Sequence, residues 1–393
     1  MALAEPYTKT TEIGEGALEK AHRYISEEMS GLKGLAVCDK NTEYIAEKAF
    51  PDLERYAFEA GTHAYGDLGD GLASYITDNG IGYAVAVGSG SVTDLTRYAA
   101  HAAKKPFISY PTAASVDGFV SSVAAMTIKA RKTTLPSTPP VALFADPAAY
   151  MTAPRRLTVS GVCDILGKYI SIFDWQAAHY LLGEKLNDEI IDLERRAVEK
   201  VLSLDPASDD FTTAVMEGLV MTGMAIQYHG SSRPASGAEH HLSHLWEMRL
   251  INGEIDALHG EQVGVSTLIV LDRYKKALCG DIAEEYEHPQ FTREFLEPVY
   301  GPITDGIIEE NTPDPLSELT KERISAAQPD IRRLIEALPD VGWLRGYMLA
   351  LGCKTRLAEI ELPDTAEFAA KSLKYAPFVR RRITLLKILR AEN

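Results

Sequence analysis

Four cysteines in 393 residues (Cys38, Cys163, Cys279 and Cys353) are too few and too scattered for a disulfide framework. With no CxxC pair, a cysteine-based zinc site is also excluded, and the reducing cytoplasm is the expected location. No run of about 18 apolar residues occurs, so no membrane span is expected. The opening Met-Ala-Leu-Ala-Glu-Pro lacks the basic-then-apolar order of a secretory signal. Positive charge is in deficit: 40 Lys and Arg against 56 Asp and Glu leave a net −16. Such a chain repels phosphate backbones, so nucleic acid is not expected as a partner. A small anion is a different case, because a few local cations or backbone amides can hold one phosphate. Internal repeats and low-complexity tracts are also missing. The balance of apolar and charged residues is that of a globular protein, and the length suggests two domains.

The first part alternates short apolar runs with helical patterns, which predicts a parallel α/β sheet of Rossmann type. The strand expectations are Leu35–Asp39, Tyr56–Ala60, Tyr83–Val87, Pro106–Tyr110 and Val141–Ala145. Ile13–Leu18 leads into a helix through Ile25, and the basic, Thr- and Pro-rich Met126–Pro140 reads as a hairpin excursion. From Val159 onward strand signals fade and amphipathic patterns such as Ile190–Leu204 and Phe211–Gln227 take over. The boundary is placed near Ser160, giving an α/β domain over 1–159 and an all-α domain over 160–393. Asp281–Asp330 is acidic and proline-broken and reads as solvated helices with loops. Lys374–Arg390 reads as a helix with a solvated basic face.

Two loops follow strands at the sheet's carboxyl edge, where ligands of parallel α/β proteins bind. Gly88-Ser89-Gly90-Ser91-Val92-Thr93-Asp94 stands between a strand and a helix expected from Leu95. That geometry aims backbone amides at a pyrophosphate. A full Rossmann fingerprint would put a third glycine at Thr93, and a ligand-free turn is an equally good account. The second loop, Thr112–Gly118, is built of small residues that allow close ligand approach. Asp117 could bond a substrate hydroxyl or simply cap a helix.

The stretch His229–Gln262 carries the densest chemistry. His240 and His244 are four apart, hence on one helical face, and His259 opens a further helix. His241 points about 100° away and is left out. Three convergent imidazoles suit a zinc-like site, which usually adds a carboxylate; Asp164 is the candidate. Its bland reading is a carboxylate at a helix N-terminus, favoured by the dipole.

These segments resemble the sn-glycerol-1-phosphate dehydrogenase family, within the iron-containing alcohol dehydrogenase and dehydroquinate synthase-like superfamily. The resemblance is carried by GSGSVTD at Gly88, YPTAASVDGFVS at Tyr110, SGVCDILGKY at Ser160, SSRPASGAEHHLSH at Ser231, HGEQVG at His259 and KYAPFVRRRITLL at Lys374. It implies a dehydroquinate synthase-like fold and one divalent metal ion, zinc or nickel, on Asp164, His240 and His259. It further implies NAD(P)H against Gly90–Asp94, Thr112, Ala113, Ala114, Ser115 and Ser121. Substrate contacts would fall on Asp117, Asp164 and His244, with His244 and Asp117 the catalytic candidates. Ser89 departs from the glycine of many superfamily members and is small enough to be harmless. Asp39 is a looser match for the acidic residue that meets the adenosine ribose, where its charge would favour NADH over NADPH. The substrate phosphate needs cations, and Lys168 and Arg233 are chosen from charge and position.

The activity implied is reversible reduction of dihydroxyacetone phosphate to sn-glycerol 1-phosphate. Three alternatives stand beside it: a dehydroquinate synthase-like cyclase or lyase, a glycerol dehydrogenase for unphosphorylated polyols, and a non-catalytic nucleotide binder. A homo-oligomer, dimer or larger, is compatible with the sequence, which leaves the state open.

Overall fold

The computed structural model describes Leu3, residues 5–289 and residues 291–389. Among the described residues eight strands occur in chain order: β1 (Thr10–Ile13), β2 (Gly34–Asp39), β3 (Glu54–Phe58), β4 (Tyr83–Gly88), β5 (Phe107–Pro111), β6 (Val123–Ile128), β7 (Arg131–Pro136) and β8 (Ala142–Ala145). Six of them form a wholly parallel sheet in the order β1-β8-β5-β4-β2-β3, and β6 and β7 form a separate antiparallel hairpin. The expected parallel sheet and the hairpin excursion are both present.

The central strands read as continuous apolar runs because both sheet faces are covered. Ala36, Cys38, Val85 and Val87 feed one core with helices α1 (Ala17–Glu28) and α2 (Glu43–Ala49). Their neighbours in sequence, Leu35, Val37, Ala84 and Ala86, feed the other with α3 (Gly66–Asp78) and α4 (Gly90–Ala102). Period-two alternation thus divides one run between two cores. From β2 the chain proceeds outward to β3, and from β4 it proceeds the other way to β5. The carboxyl ends of β2 and β4 therefore flank a topological switch point, with Asp39 ending one strand and Gly88 the other.

After β8 come α5 (Pro147–Tyr150), α6 (Arg155–Leu166), α7 (Lys168–Leu182), α8 (Asp188–Leu202), α9 (Phe211–His229), α10 (Ala238–Glu247) and α11 (His259–Lys276). Among the described residues no strand follows β8, so the expected helical second part is present. By packing, the chain forms two compact bodies. One comprises residues up to 165 together with 196–232, and the other comprises 166–195 and 233 onward. In the first body α9 lies on the 117–120 turn, where Gly223 lets the Asp117 carbonyl and the Val120 side chain approach its backbone.

One strand is unexpected, and several local expectations are corrected. β1 is a strand, although Thr-Thr-Glu-Ile offers no apolar run, because it pairs in parallel along β8. α4 begins at Gly90 rather than Leu95, so Gly90–Asp94 forms a helical first turn instead of a loop. Asp164 lies in the last turn of α6, where the helix dipole would disfavour its charge, so the dipole reading fails. The Lys374 segment is not one helix: a helix over Ala366–Tyr375 gives way to short 3-10 turns at Ala376–Phe378 and Leu385–Lys387. Pro377 cannot donate the next helical hydrogen bond. The basic residues divide: Lys374 and Arg381 are exposed, as a solvated face requires, whereas Arg382 and Lys387 turn inward. Arg382 donates to the Ser236 carbonyl, and Lys387, only 3% exposed, donates to the carbonyl of Arg380 and to Asn311. Arg390 lies outside the described residues.

Candidate active site

In the α/β body, Gly88 ends β4 and Gly90 begins α4. A side chain at Gly88 would run into Val92, and one at Gly90 would press on Val116. Little more than bare backbone fits at these two positions, where β4 passes into the first turn of α4. Val92 and Thr93 are buried, Ser91 is partly exposed, and Ser89 bonds through its hydroxyl to Ser115. Asp94 forms a 2.6 Å ion pair with the fully buried Arg97. Arg97 in turn donates to the carbonyls of Gly118, Phe119 and Val123. Burial pushes the Asp94 carboxyl upward, and Arg97 opposes that shift. The Asp94 side chain therefore ties the start of α4 to the 118–123 segment.

The turn Thr112, Ala113, Ala114, Ser115 follows β5 directly and is buried, with the Thr112 amide on the Gly88 carbonyl at 3.1 Å. Ser121 uses its hydroxyl on the Val123 backbone, and Asp39 accepts from the Thr42 amide and hydroxyl at 2.9 and 3.0 Å. α6 lies under the turn through Gly161, where any added methyl would collide with the Ala114 carbonyl oxygen. Gly161→Ala is therefore expected to cost about 1–3 kcal/mol, the usual price of overpacking. Denaturant melts would read it, and an unchanged midpoint would mean the turn yields freely. Three residues on, the fully buried Asp164 accepts the Asp117 amide at 3.1 Å. Asp117 opens the 3-10 turn Asp117–Val120 and is not its N-cap.

In the helical body, α10 is buried from Ala238 to Trp246. Its first amide is held by Asp174, which also accepts from the Leu385 amide and the Tyr274 hydroxyl. Burial pushes the Asp174 carboxyl up to about 7. His240 and His244 stand one turn apart with ring centroids 5.8 Å from each other. His259 is placed by a capping arrangement. Glu261 accepts the Leu258 amide at 2.9 Å, is paired with Lys354 at 3.0 Å, and fixes the first turn of α11. The His259 ring then lies 5.3 Å from His240 and 5.8 Å from His244. The expected histidine trio is thus assembled from two helices.

Each outer member of the trio has a carboxylate on its Nδ1: Glu239 on His240 at 2.7 Å and Glu247 on His259 at 2.5 Å. Spacing arguments missed both glutamates, because an acidic residue beside a helical histidine reads as ordinary surface. The only sequence signal was a glutamate directly before His240 and another three residues after His244. His244 is 6% exposed and its Nδ1 has no partner among the described residues. Burial holds its imidazole well below the ordinary range; Glu247 opposes this, while Arg380, His240 and His259 add to it. His241 is fully buried, makes none of these ring contacts, and is likewise held low by burial.

Lys168 is fully buried with Nζ on the Ala235 carbonyl at 3.0 Å. Arg233 makes two bonds to Glu184 and donates to the carbonyls of Asp174 and Ile383. Both therefore converge on the 233–236 loop leading into α10, and Arg233 also braces that loop.

Residues 12–154 match the family model described as iron-containing alcohol dehydrogenase. The chain superposes on a probable glycerol dehydrogenase from Sinorhizobium meliloti with a TM-score of 0.61 at 16% identity, covering 98% of each chain. A variant of an archaeal halo-thermophilic Red Sea brine pool alcohol dehydrogenase gives 0.64 at 15% identity, covering 98% of this chain and 97% of that one. At such identities the likeness shows the fold, which this chain shares with those dehydrogenases. Over 319 residues the chain is 31% identical to glycerol-1-phosphate dehydrogenase (NAD(P)+) of Geobacillus stearothermophilus, spanning 80% of this chain and 72% of that one. The enzyme of the same name from Pyrococcus horikoshii is 34% identical over 266 residues, 66% of this chain and 76% of that one. The chain belongs to the glycerol-1-phosphate dehydrogenase family, as its motifs implied.

Proposed function

We propose that this chain is an NAD(P)-linked oxidoreductase that reversibly reduces dihydroxyacetone phosphate to sn-glycerol 1-phosphate. The observation that carries the reading is the histidine trio with two carboxylate-backed imidazoles, in a chain of this family. The donor chemistry fits a divalent ion: with Nδ1 bonded to a glutamate, His240 and His259 are each held in the tautomer whose lone pair lies on Nε2, the form that ligates a metal. Asp164, carried at the end of α6, is the proposed carboxylate ligand, and zinc or nickel the proposed ion. When bound, such an ion supplies Lewis-acid stabilisation of charge developing on the substrate oxygen.

The remaining work falls to side chains. His244, neutral and one turn from His240, is suited to exchange a proton with the substrate oxygen. In the reduction the proton comes from solvent and His244 would relay it to the substrate oxygen; in the reverse direction the neutral ring would accept the hydroxyl proton and return it to solvent. Asp117 would orient the substrate hydroxyls. The first turn of α4 with Gly88, the turn Thr112–Ser115 and Ser121 would hold the dinucleotide, and Asp39 would tilt the choice toward NADH. In this proposal 1–159 is the dinucleotide domain, 160–393 holds metal and substrate, and the protein works in the cytoplasm.

Lys168 and Arg233 would take the phosphate. Lys168→Met keeps the length of the side chain and removes its charge. It is expected to raise KM for the triose phosphate at least about tenfold, the worth of one charge-assisted hydrogen bond, and to leave KM for NADH unchanged. Equal KM values for the triose phosphate in both proteins would remove Lys168 from the phosphate site.

The deciding experiment is NADH oxidation with dihydroxyacetone phosphate by metal-replete protein, against an EDTA-treated control, with an enantiomer-specific product assay. Chelator-sensitive oxidation yielding glycerol 1-phosphate is expected. No net oxidation in metal-loaded protein would instead favour cyclase chemistry, which returns its cofactor to the starting state.

A further inference from the structure

Within α10 and α11 the three imidazoles are not equivalent. His240 and His259 each place Nδ1 on a glutamate oxygen, at 2.7 and 2.5 Å, whereas the Nδ1 of His244 meets no partner. A carboxylate accepts only, so it selects the tautomer with the proton on Nδ1 and the lone pair on Nε2. We propose that Glu239 and Glu247 are positioning residues that commit His240 and His259 to metal ligation, and that His244, with no carboxylate on its Nδ1, stands outside the ligand set. This rests on the ligand assignment of the two outer histidines made above.

The placement of Glu239 is costly unless something offsets it. Its side chain is fully buried; Oε1 serves His240 and the Gly237 amide at 2.8 Å, and Oε2 has no hydrogen-bond partner among the described residues. Asp174 stands close by, so that a methyl added at Gly237 would touch both carboxylates, and the two charges oppose each other. A buried carboxylate with unused acceptor capacity destabilises a fold built for packing alone. A dication on the far nitrogen of the ring it backs would offset that cost. Glu247 occupies the matching position behind His259, from the other end of α10.

The competing account is that Glu247 is itself a ligand, since His244, Glu247 and His259 bring one donor atom each within 4.8 Å of one another. Cobalt(II) separates the two accounts. Apo protein is titrated with cobalt(II) against a chromogenic chelator, and the visible absorption of the bound ion is recorded for wild type, Glu239→Gln, Glu247→Gln, His240→Ala and His244→Ala. The expected result is a roughly 10–100-fold loss of affinity in each glutamine variant, the usual effect of removing an outer-shell partner. The band shape should stay that of the wild type, and His244→Ala should keep wild-type affinity. Unchanged affinity in Glu247→Gln overturns the proposal, as does a changed band shape there, which would make Glu247 a ligand. If Glu239→Gln fails to fold, Glu247→Gln carries the test, because Glu247 is 13% exposed and within reach of solvent. Wild-type cobalt affinity in His240→Ala would instead overturn the ligand assignment itself, and so separates that failure from this one.

Discussion

His240→Ala, or Asp164→Asn, is expected to lose metal and activity together. Lewis-acid stabilisation is worth several kcal/mol at the transition state, so kcat/KM for dihydroxyacetone phosphate should fall by roughly 10³-fold or more. The two substitutions remove different donors. In the proposed set His240 would supply a ring nitrogen whose tautomer Glu239 selects, whereas Asp164 would supply a carboxylate that also accepts the Asp117 amide. Metal content by elemental analysis, measured beside the kinetics, decides the matter. Stoichiometric metal in Asp164→Asn would show that another carboxylate completes the set.

His244→Ala should behave in the opposite way on one axis. Metal content is expected to stay at the wild-type level while kcat falls roughly 10²–10⁴-fold, the usual worth of a general acid or base. KM for NADH should not move. The reason lies in the packing: His244 shares a face with His240 but has no carboxylate behind it, and burial keeps it uncharged. Loss of metal in this variant would make His244 a ligand, and full activity would end its role in proton exchange.

Much of this was legible in the sequence for identifiable reasons. The core strands were readable because a sheet covered on both faces demands unbroken apolar runs, as at Leu35–Cys38 and Tyr83–Val87. The pair His240 and His244 was readable because i, i+4 spacing puts both on one helical face, and His259 because it opens a second helix. β1 was hidden because a four-residue edge strand takes its stability from pairing with β8 rather than from its own composition. The start of α4 was hidden because Gly90, Ser91 and Thr93 are poor helix formers. Tertiary contact at Val92 and Leu95 overrides that preference. The tail was misread because Arg382 and Lys387, which composition assigns to solvent, end on buried carbonyls. Glu239 and Glu247 escaped for a related reason, since their value depends on which atom of a neighbouring ring they meet.

The division into two bodies falls inside α6 and inside α8, and again between Ser232 and Arg233. Each body is therefore assembled from segments that are not contiguous in the chain. A recombinant fragment ending near residue 160 would carry the whole parallel sheet but none of α9, which covers the 117–120 turn. The complementary fragment would carry α9 without the turn it packs on. Neither half is a portable module, and any transplant of the sheet between relatives has to carry residues 196–232 with it.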